Sequence, residues 1–138
     1  MKQILVLCAG NSCRSQMAEG YLKKFAGDKA MIYSAGIQAH GVNPRAIEVM
    51  KQDQIDISGH SSNNIDEYSG INFDYVITVC DHARENCPYL KTDGVMLHQN
   101  FPDPAIAVGT DKEVLKCFVD VRNWIKTYTQ NFVLDYLK

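Results

Sequence analysis

Short apolar runs without polar alternation recur along the chain, at residues 4–7, 31–35, 75–79 and, more weakly, 95–97. Runs of this kind suit strands covered on both faces, as in a parallel sheet. Helical patterns lie between them. Met17, Ala18, Tyr21, Leu22 and Phe25 mark the first, and Ala46, Ile47, Val49 and Met50 the second, with Pro44 in its first turn after Asn43. A shorter one covers residues 65–69. The longest runs from Asp111 towards Leu137, where Val114, Phe118, Val121, Ile125, Tyr128 and Phe132 recur at spacings of three and four. Strands alternating with helices predict an α/β sandwich of three layers, a parallel sheet flanked by helices and joined by right-handed crossovers. The ligand crevice of such a sheet lies beyond the carboxyl ends of its strands. The turns after Leu7 and after Val79 both fall at such ends, and both carry cysteine.

Composition narrows the possibilities. The 138 residues suit one domain, 1–138, and 46% hydrophobic with 22% charged residues is ordinary for a folded chain. The formal net charge is −2 and no basic block exceeds Lys23-Lys24, so neither nucleic acid nor a membrane surface is expected as a partner. Any bound anion should be small and locally held. The first apolar run is too short for a secretion signal or a membrane span, which leads to the expectation of a cytoplasmic protein. Five cysteines are an odd and sparse set, so chemistry is a better explanation for them than disulfide staples.

The chemistry concentrates in "CAGNSCRS". Cys8 and Arg14 enclose five residues, Ala9, Gly10, Asn11, Ser12 and Cys13, between a buried strand and a helix. A loop so placed turns its N–H groups inward, and the helix adds its positive end, which makes a cradle for a tetrahedral oxyanion. Arg14 would hold two oxygens, and the positive surroundings would lower the Cys8 pKa to make it a nucleophile. Gly10 would allow the tight path, and Asn11, tolerant of left-handed backbone, would tie the loop. Ser15 would donate to the Cys8 thiolate. Taken alone, the same spacing also fits small buried cysteines in a turn with a solvated arginine; the flanking strand, glycine, serine and helix argue against that. Cys13 has no chemical requirement of its own beyond its amide, and Cys117, beside Phe118, is expected in the core. Displacing an oxygen needs a proton donor, and Asp103, between Pro102 and Pro104, is aimed by neighbours that restrict the backbone. A plain proline-rich turn is the competing explanation.

These residues closely resemble the low-molecular-weight protein tyrosine phosphatase superfamily, through C-x5-R-S near the start and a D-P loop in the last third. Within it the chain is most similar to the thioredoxin-coupled arsenate reductases, in "GNSCRSQMAEG", "YSAGI", "HGVNPRAIEVM", "DIS", "VITVC", "NCP" and "DPA". The resemblance implies four parallel strands flanked by helices. It also implies a redox role for Cys80 and Cys87. Cys8 would attack arsenate held by Arg14 and the loop amides, and Asp103 would protonate the departing oxygen. Cys80 would then attack Cys8, releasing arsenite, and Cys87 would draw the disulfide outward for thioredoxin or another dithiol reductant. Phosphate and sulfate would act as arsenate analogues. Some members bind potassium beside the loop; Asn11, Glu19 and Ser34 match that site, and Asn63 stands at its acidic position. No other cofactor is required, and a monomer is expected. "HQNFPDP" departs from the branch, which often has an aromatic-glycine pair and a second acid before D-P. Ala105 and Ile106 stand where phosphatases usually have an aromatic wall.

Arsenate reduction is thus the leading function. The alternative is a phosphatase hydrolysing phosphomonoesters through phospho-cysteine, with Cys80 and Cys87 as buried or zinc-binding thiols; a spacing of six residues and scattered histidines disfavour zinc. An oxyanion sensor comes third, since binding alone needs neither a thiolate nor Asp103.

Overall fold

The computed structural model describes residues 1–86 and 94–137, so Cys87 lies outside the described residues. Strands β1 (Lys2–Cys8), β2 (Ala30–Gly36), β3 (Tyr75–Thr78) and β4 (Val95–His98) form one parallel sheet in the order β2-β1-β3-β4. Helices α1 (Arg14–Ala26), α2 (Pro44–Gln52), α3 (Asp81–Asn86) and α4 (Asp111–Tyr136) flank it. The α/β sandwich expected from the alternating pattern is therefore the fold. Ile4, Leu5, Val6 and Leu7 are all fully buried, which requires cover on both faces of β1.

Local chemistry sets the helix starts. The Asn43 side chain accepts from the Arg45 and Ala46 N–H groups, with Pro44 following, and so caps α2. Thr110 and Glu113 form a capping box that opens α4. Asn64 and Glu67 do the same for the short 3-10 turn Ile65–Tyr68, where the weak 65–69 pattern predicted a helix. Tyr33, Tyr68 and Phe73 meet edge to face, at centroid separations of 5.2 to 6.5 Å. Arg122 donates to the Val49 carbonyl at 2.9 Å and ties α4 to α2.

Two features differ from the pattern-based expectation. Cys117 is exposed, not in the core. Val114, Phe118, Val121, Ile125 and Phe132 form the buried stripe, and one residue back from Phe118 turns a side chain by ~100° around the helix, off that stripe. Helix α3 was not evident from the pattern, because it has six residues and Ala83 is the apolar side chain it buries. Among the described residues no helix is long and apolar enough to cross a membrane.

Register places the functional loops. Leu7 is level with Ala35 of β2 and with Thr78 of β3, so three neighbouring strands end together. Thr78 is in turn level with His98 of β4. The loops that follow all four strands consequently gather at one edge of the sheet.

Candidate active site

The loop after β1 is held from outside by its carbonyl groups. The carbonyls of Cys8, Ala9, Gly10 and Ser12 accept from the N–H groups of Ile37, Gln38, His40 and Asn43 at 2.9 to 3.2 Å. The Asn11 carbonyl accepts from Gln16 Nε2 at 3.1 Å. With the carbonyls turned outward, the intervening N–H groups are left for the inner side, where an anion would sit. Asn11 adopts the left-handed region with φ of 48°, as its type allowed, and its amide donates to the carbonyls of Ser34 and Asn63 at 3.3 and 3.4 Å.

Ser15 differs from its expected role. Its buried hydroxyl donates to Asn11 Oδ1 at 2.7 Å, which spends the proton on loop shape rather than on the Cys8 sulfur. Gly10 has ordinary backbone angles, and its missing side chain serves a close approach instead: a Cβ there would lie 2.5 Å from His40 Nδ1. Gly36 is needed for the same reason, since its Cβ would run into the Gln38 carbonyl and lie 2.7 Å from the Asn11 nitrogen.

The loop and the residues opposite enclose a cavity of about 240 Å³ lined by Cys8, Ala9, Gly10, Ser12, Cys13, Arg14, His40, Asp103 and Ala105. Arg14 NH1 donates to the Phe101 carbonyl at 2.9 Å, and NH2 lies 3.7 Å from Asp103 Oδ2. Arg14 Nε is buried and makes no hydrogen bond to the described residues. Asp103 has its other oxygen fixed by the Ala105 N–H at 3.0 Å, and it lines the cavity together with Cys8.

Cys8 and Cys80 are both buried, with their sulfurs 3.8 Å apart. Two thiols this close hold one negative charge readily and a second with difficulty. Cys8 donates to Cys80, and with the Ala83 N–H 3.3 Å from the Cys80 sulfur and Arg14 nearby, the Cys80 pKa falls to about 5. The hydrogen bond to Cys80, together with burial, raises that of Cys8. The expected low pKa therefore belongs to the pair's first ionisation and resides on Cys80 in this arrangement. Burial, with Asp103 adding to it, pushes Cys13 up to about 12, so it remains a thiol.

The residues matched to a potassium site are neighbours in this structure. Glu19 accepts from Ser34 Oγ through one oxygen and from Lys23 Nζ at 2.6 Å through the other, and His60 Nε2 lies 3.4 Å away. The Asn63 side chain bonds Ser61 and Glu67, and its backbone carbonyl accepts from Asn11. The carboxylate already has an ammonium partner, and no step is assigned to potassium. Gln16, Lys23, His40, His60 and the 37–43 segment were not predicted as site residues; Lys23 meets Glu19 within α1, and Gln16, His60 and the 37–43 segment meet partners that no local pattern marks.

Strand-loop-helix geometry and a cysteine-arginine cradle define a phosphatase-type oxyanion site, and the comparisons agree. The chain belongs to the low molecular weight phosphotyrosine protein phosphatase family, whose model matches residues 3–133. It is 48% identical over 131 residues to an arsenate reductase of Halalkalibacterium halodurans, covering 95% of this chain and 94% of that one. To an arsenate reductase of Bacillus subtilis it is 46% identical, over 95% and 94% of the two chains. The solved structure of an arsenate reductase in the phosphate binding state matches with a TM-score of 0.83 and 31% identity, over 100% of both chains.

Two outcomes follow from this geometry. Gly36→Ala should weaken inorganic phosphate binding by roughly tenfold or more in calorimetry, because the added methyl displaces the Asn11 end of the cradle; unchanged affinity would contradict the clasp. Thiolate absorbance should appear as pH rises through about 5 in the ligand-free protein, and disappear below it, because the first proton leaves the Cys8–Cys80 pair there. A first ionisation near the ~8.5 of a free thiol would contradict the shared charge.

Proposed function

We propose that the protein is an arsenate reductase in which Cys8, Cys80 and Cys87 pass a disulfide outward. The observation that carries this reading is the 3.8 Å separation of Cys8 and Cys80 inside an oxyanion cradle. Hydrolysis needs one thiol there, whereas reduction needs a second thiol within reach of the first. The names of the relatives support the same activity.

Arsenate enters the cavity, where Arg14 and the loop amides carry its oxygens. The Cys8 proton passes to the Cys80 thiolate, and Cys8 attacks arsenic. Asp103 protonates the departing oxygen, which leaves as water. Cys80 releases its proton to solvent and attacks the Cys8 sulfur as a thiolate; an S–S bond forms, the S–As bond breaks, and its electron pair stays on arsenic. Arsenic(V) thereby becomes arsenic(III), released as arsenite, while two thiolates become the Cys8–Cys80 disulfide. Cys87 attacks Cys80 and frees Cys8. The Cys80–Cys87 disulfide is then reduced by thioredoxin or another dithiol of the cytoplasm.

Phosphomonoester hydrolysis is the second activity the same cradle supports, because phosphate and arsenate share shape and charge and water can resolve phospho-cysteine. It is a side activity here, since Ala105 lines the cavity where an aryl group would need a broader wall. The test is arsenate-dependent NADPH oxidation with thioredoxin and its reductase, run beside hydrolysis of an aryl phosphate. Cys80→Ser and Cys87→Ser should each lose sustained arsenate turnover, Cys87→Ser should keep hydrolysis within about fivefold, and Cys8→Ser should lose both activities. Sustained turnover by Cys87→Ser with thioredoxin as the sole reductant would sink the relay.

A further inference from the structure

The residues on either side of Cys80 are bound to the segment that leads into the Asp103 loop. His98, the last residue of β4, lies 2.7 Å through Nδ1 from Thr78 Oγ1 and 2.8 Å through Nε2 from Asp81 Oδ1. Asp81 carboxylate oxygens accept only, so the His98 ring donates to Asp81 from Nε2. Asn100 Oδ1 accepts from the Asp81 N–H at 3.0 Å. The Gln99 and Phe101 N–H groups donate to the Thr78 and Val79 carbonyls, both at 3.0 Å. Thr78, Val79 and Asp81 thus have partners among residues 98–101, and Cys80 lies within that bracket.

Helix α3 cannot supply this restraint alone. An isolated helix shorter than ~12 residues is marginal in water, and α3 has six. Arg84 approaches Asp81 at 4.0 Å, but both side chains are more than half exposed and the pair adds little. Meanwhile a disulfide tolerates little drift, since its S–S length is ~2.05 Å and its Cβ atoms must lie within a narrow range.

We propose that His98 is a positioning residue for Cys80: through Asp81, and with Asn100 on the same residue's N–H, it straps the Cys80 turn against Cys8 until the first disulfide has formed. This rests on the reading of Cys80 as the second thiol of the relay. It also gives a purpose to Asn100, one of the departures in "HQNFPDP", as a cap donated to α3 from a neighbouring loop. The strap's side chains make no hydrogen bond to the anion loop, and proton transfer between the two sulfurs tolerates more drift than an S–S bond does, so losing the strap falls chiefly on disulfide formation.

The experiment uses the Cys87→Ser protein, which stops at the Cys8–Cys80 disulfide, and follows its formation after arsenate addition by rapid acid quench and mass spectrometry. His98→Ala and Asp81→Ala in that background should each slow formation by roughly tenfold or more, the scale expected when a reacting group loses its placement. The double variant should be no slower than the worse single within about twofold, because both changes remove one contact. Asp81→Asn, which keeps an acceptor for His98, should retain more than about half of the rate. Aryl phosphate hydrolysis by His98→Ala should stay within about twofold, which also reports an intact fold. Asp81 is exposed, so if His98→Ala fails to fold, the Asp81→Ala and Asp81→Asn pair decides. An unchanged rate in Asp81→Ala, or losses that multiply in the double variant, would overturn the strap. Arsenate turnover surviving Cys80→Ser would instead remove the relay beneath it.

Discussion

The close approach of two sulfurs depends on strand register. β1 and β3 are hydrogen-bonded neighbours with Leu7 level with Thr78, and the Val79 N–H continues that ladder to the Leu7 carbonyl at 3.0 Å. Cys8 and Cys80 are therefore carried by adjacent parallel strands that end at the same height. A one-residue slip between them would turn every side chain of β3 to the other face and carry Cys80 away from Cys8. The buried run from Ile4 to Leu7 pins that register, because each of these side chains would lose its cover in a slip. Packing in the sheet and chemistry at its edge are thus set by one constraint.

From that edge, strand order distributes the work. β2 ends in Gly36 and leads into the segment whose N–H groups take the carbonyls of the anion loop. β1 supplies Cys8 and, across the loop, Arg14 at the start of α1. β3 supplies Cys80. β4 ends in His98 and leads through Phe101, whose carbonyl holds Arg14, to Asp103. The same low-dielectric burial that raises Cys13 to about 12 makes an unshared charge on Cys8 costly. The pair meets this by placing the charge on Cys80, next to the Ala83 N–H, until an oxyanion demands it elsewhere.

What was legible in the sequence follows the range of the interactions involved. Strands buried on both faces, the Asn43-Pro44 start of α2, the long apolar stripe of α4 and the Cys8-to-Arg14 spacing are local, and each was readable. Asn11 in the left-handed region was readable for the same reason, since few other side chains tolerate it. The cap on α3 comes from Asn100, 19 residues away from Asp81, so no local pattern announced that helix. The clasp of residues 37–43 on the anion loop is made by backbone groups, which leave no mark on side-chain type beyond the glycines they require. Ser15 and Cys117 were misjudged on partners: the first turned to Asn11, the second fell one residue off the buried stripe. At the residues matched to potassium, Lys23, one turn along α1, gives Glu19 an ammonium partner.

The most direct test of the relay is the position of the disulfide after one turnover. Wild-type protein, fully reduced, is treated with arsenate in the absence of reductant, its remaining thiols are alkylated, and its peptides are mapped by mass spectrometry. The account predicts Cys80 joined to Cys87, with Cys8 alkylated and one arsenite released per chain. Cys8 joined to any cysteine as the final product, or all three thiols still alkylatable after arsenite release, would contradict it.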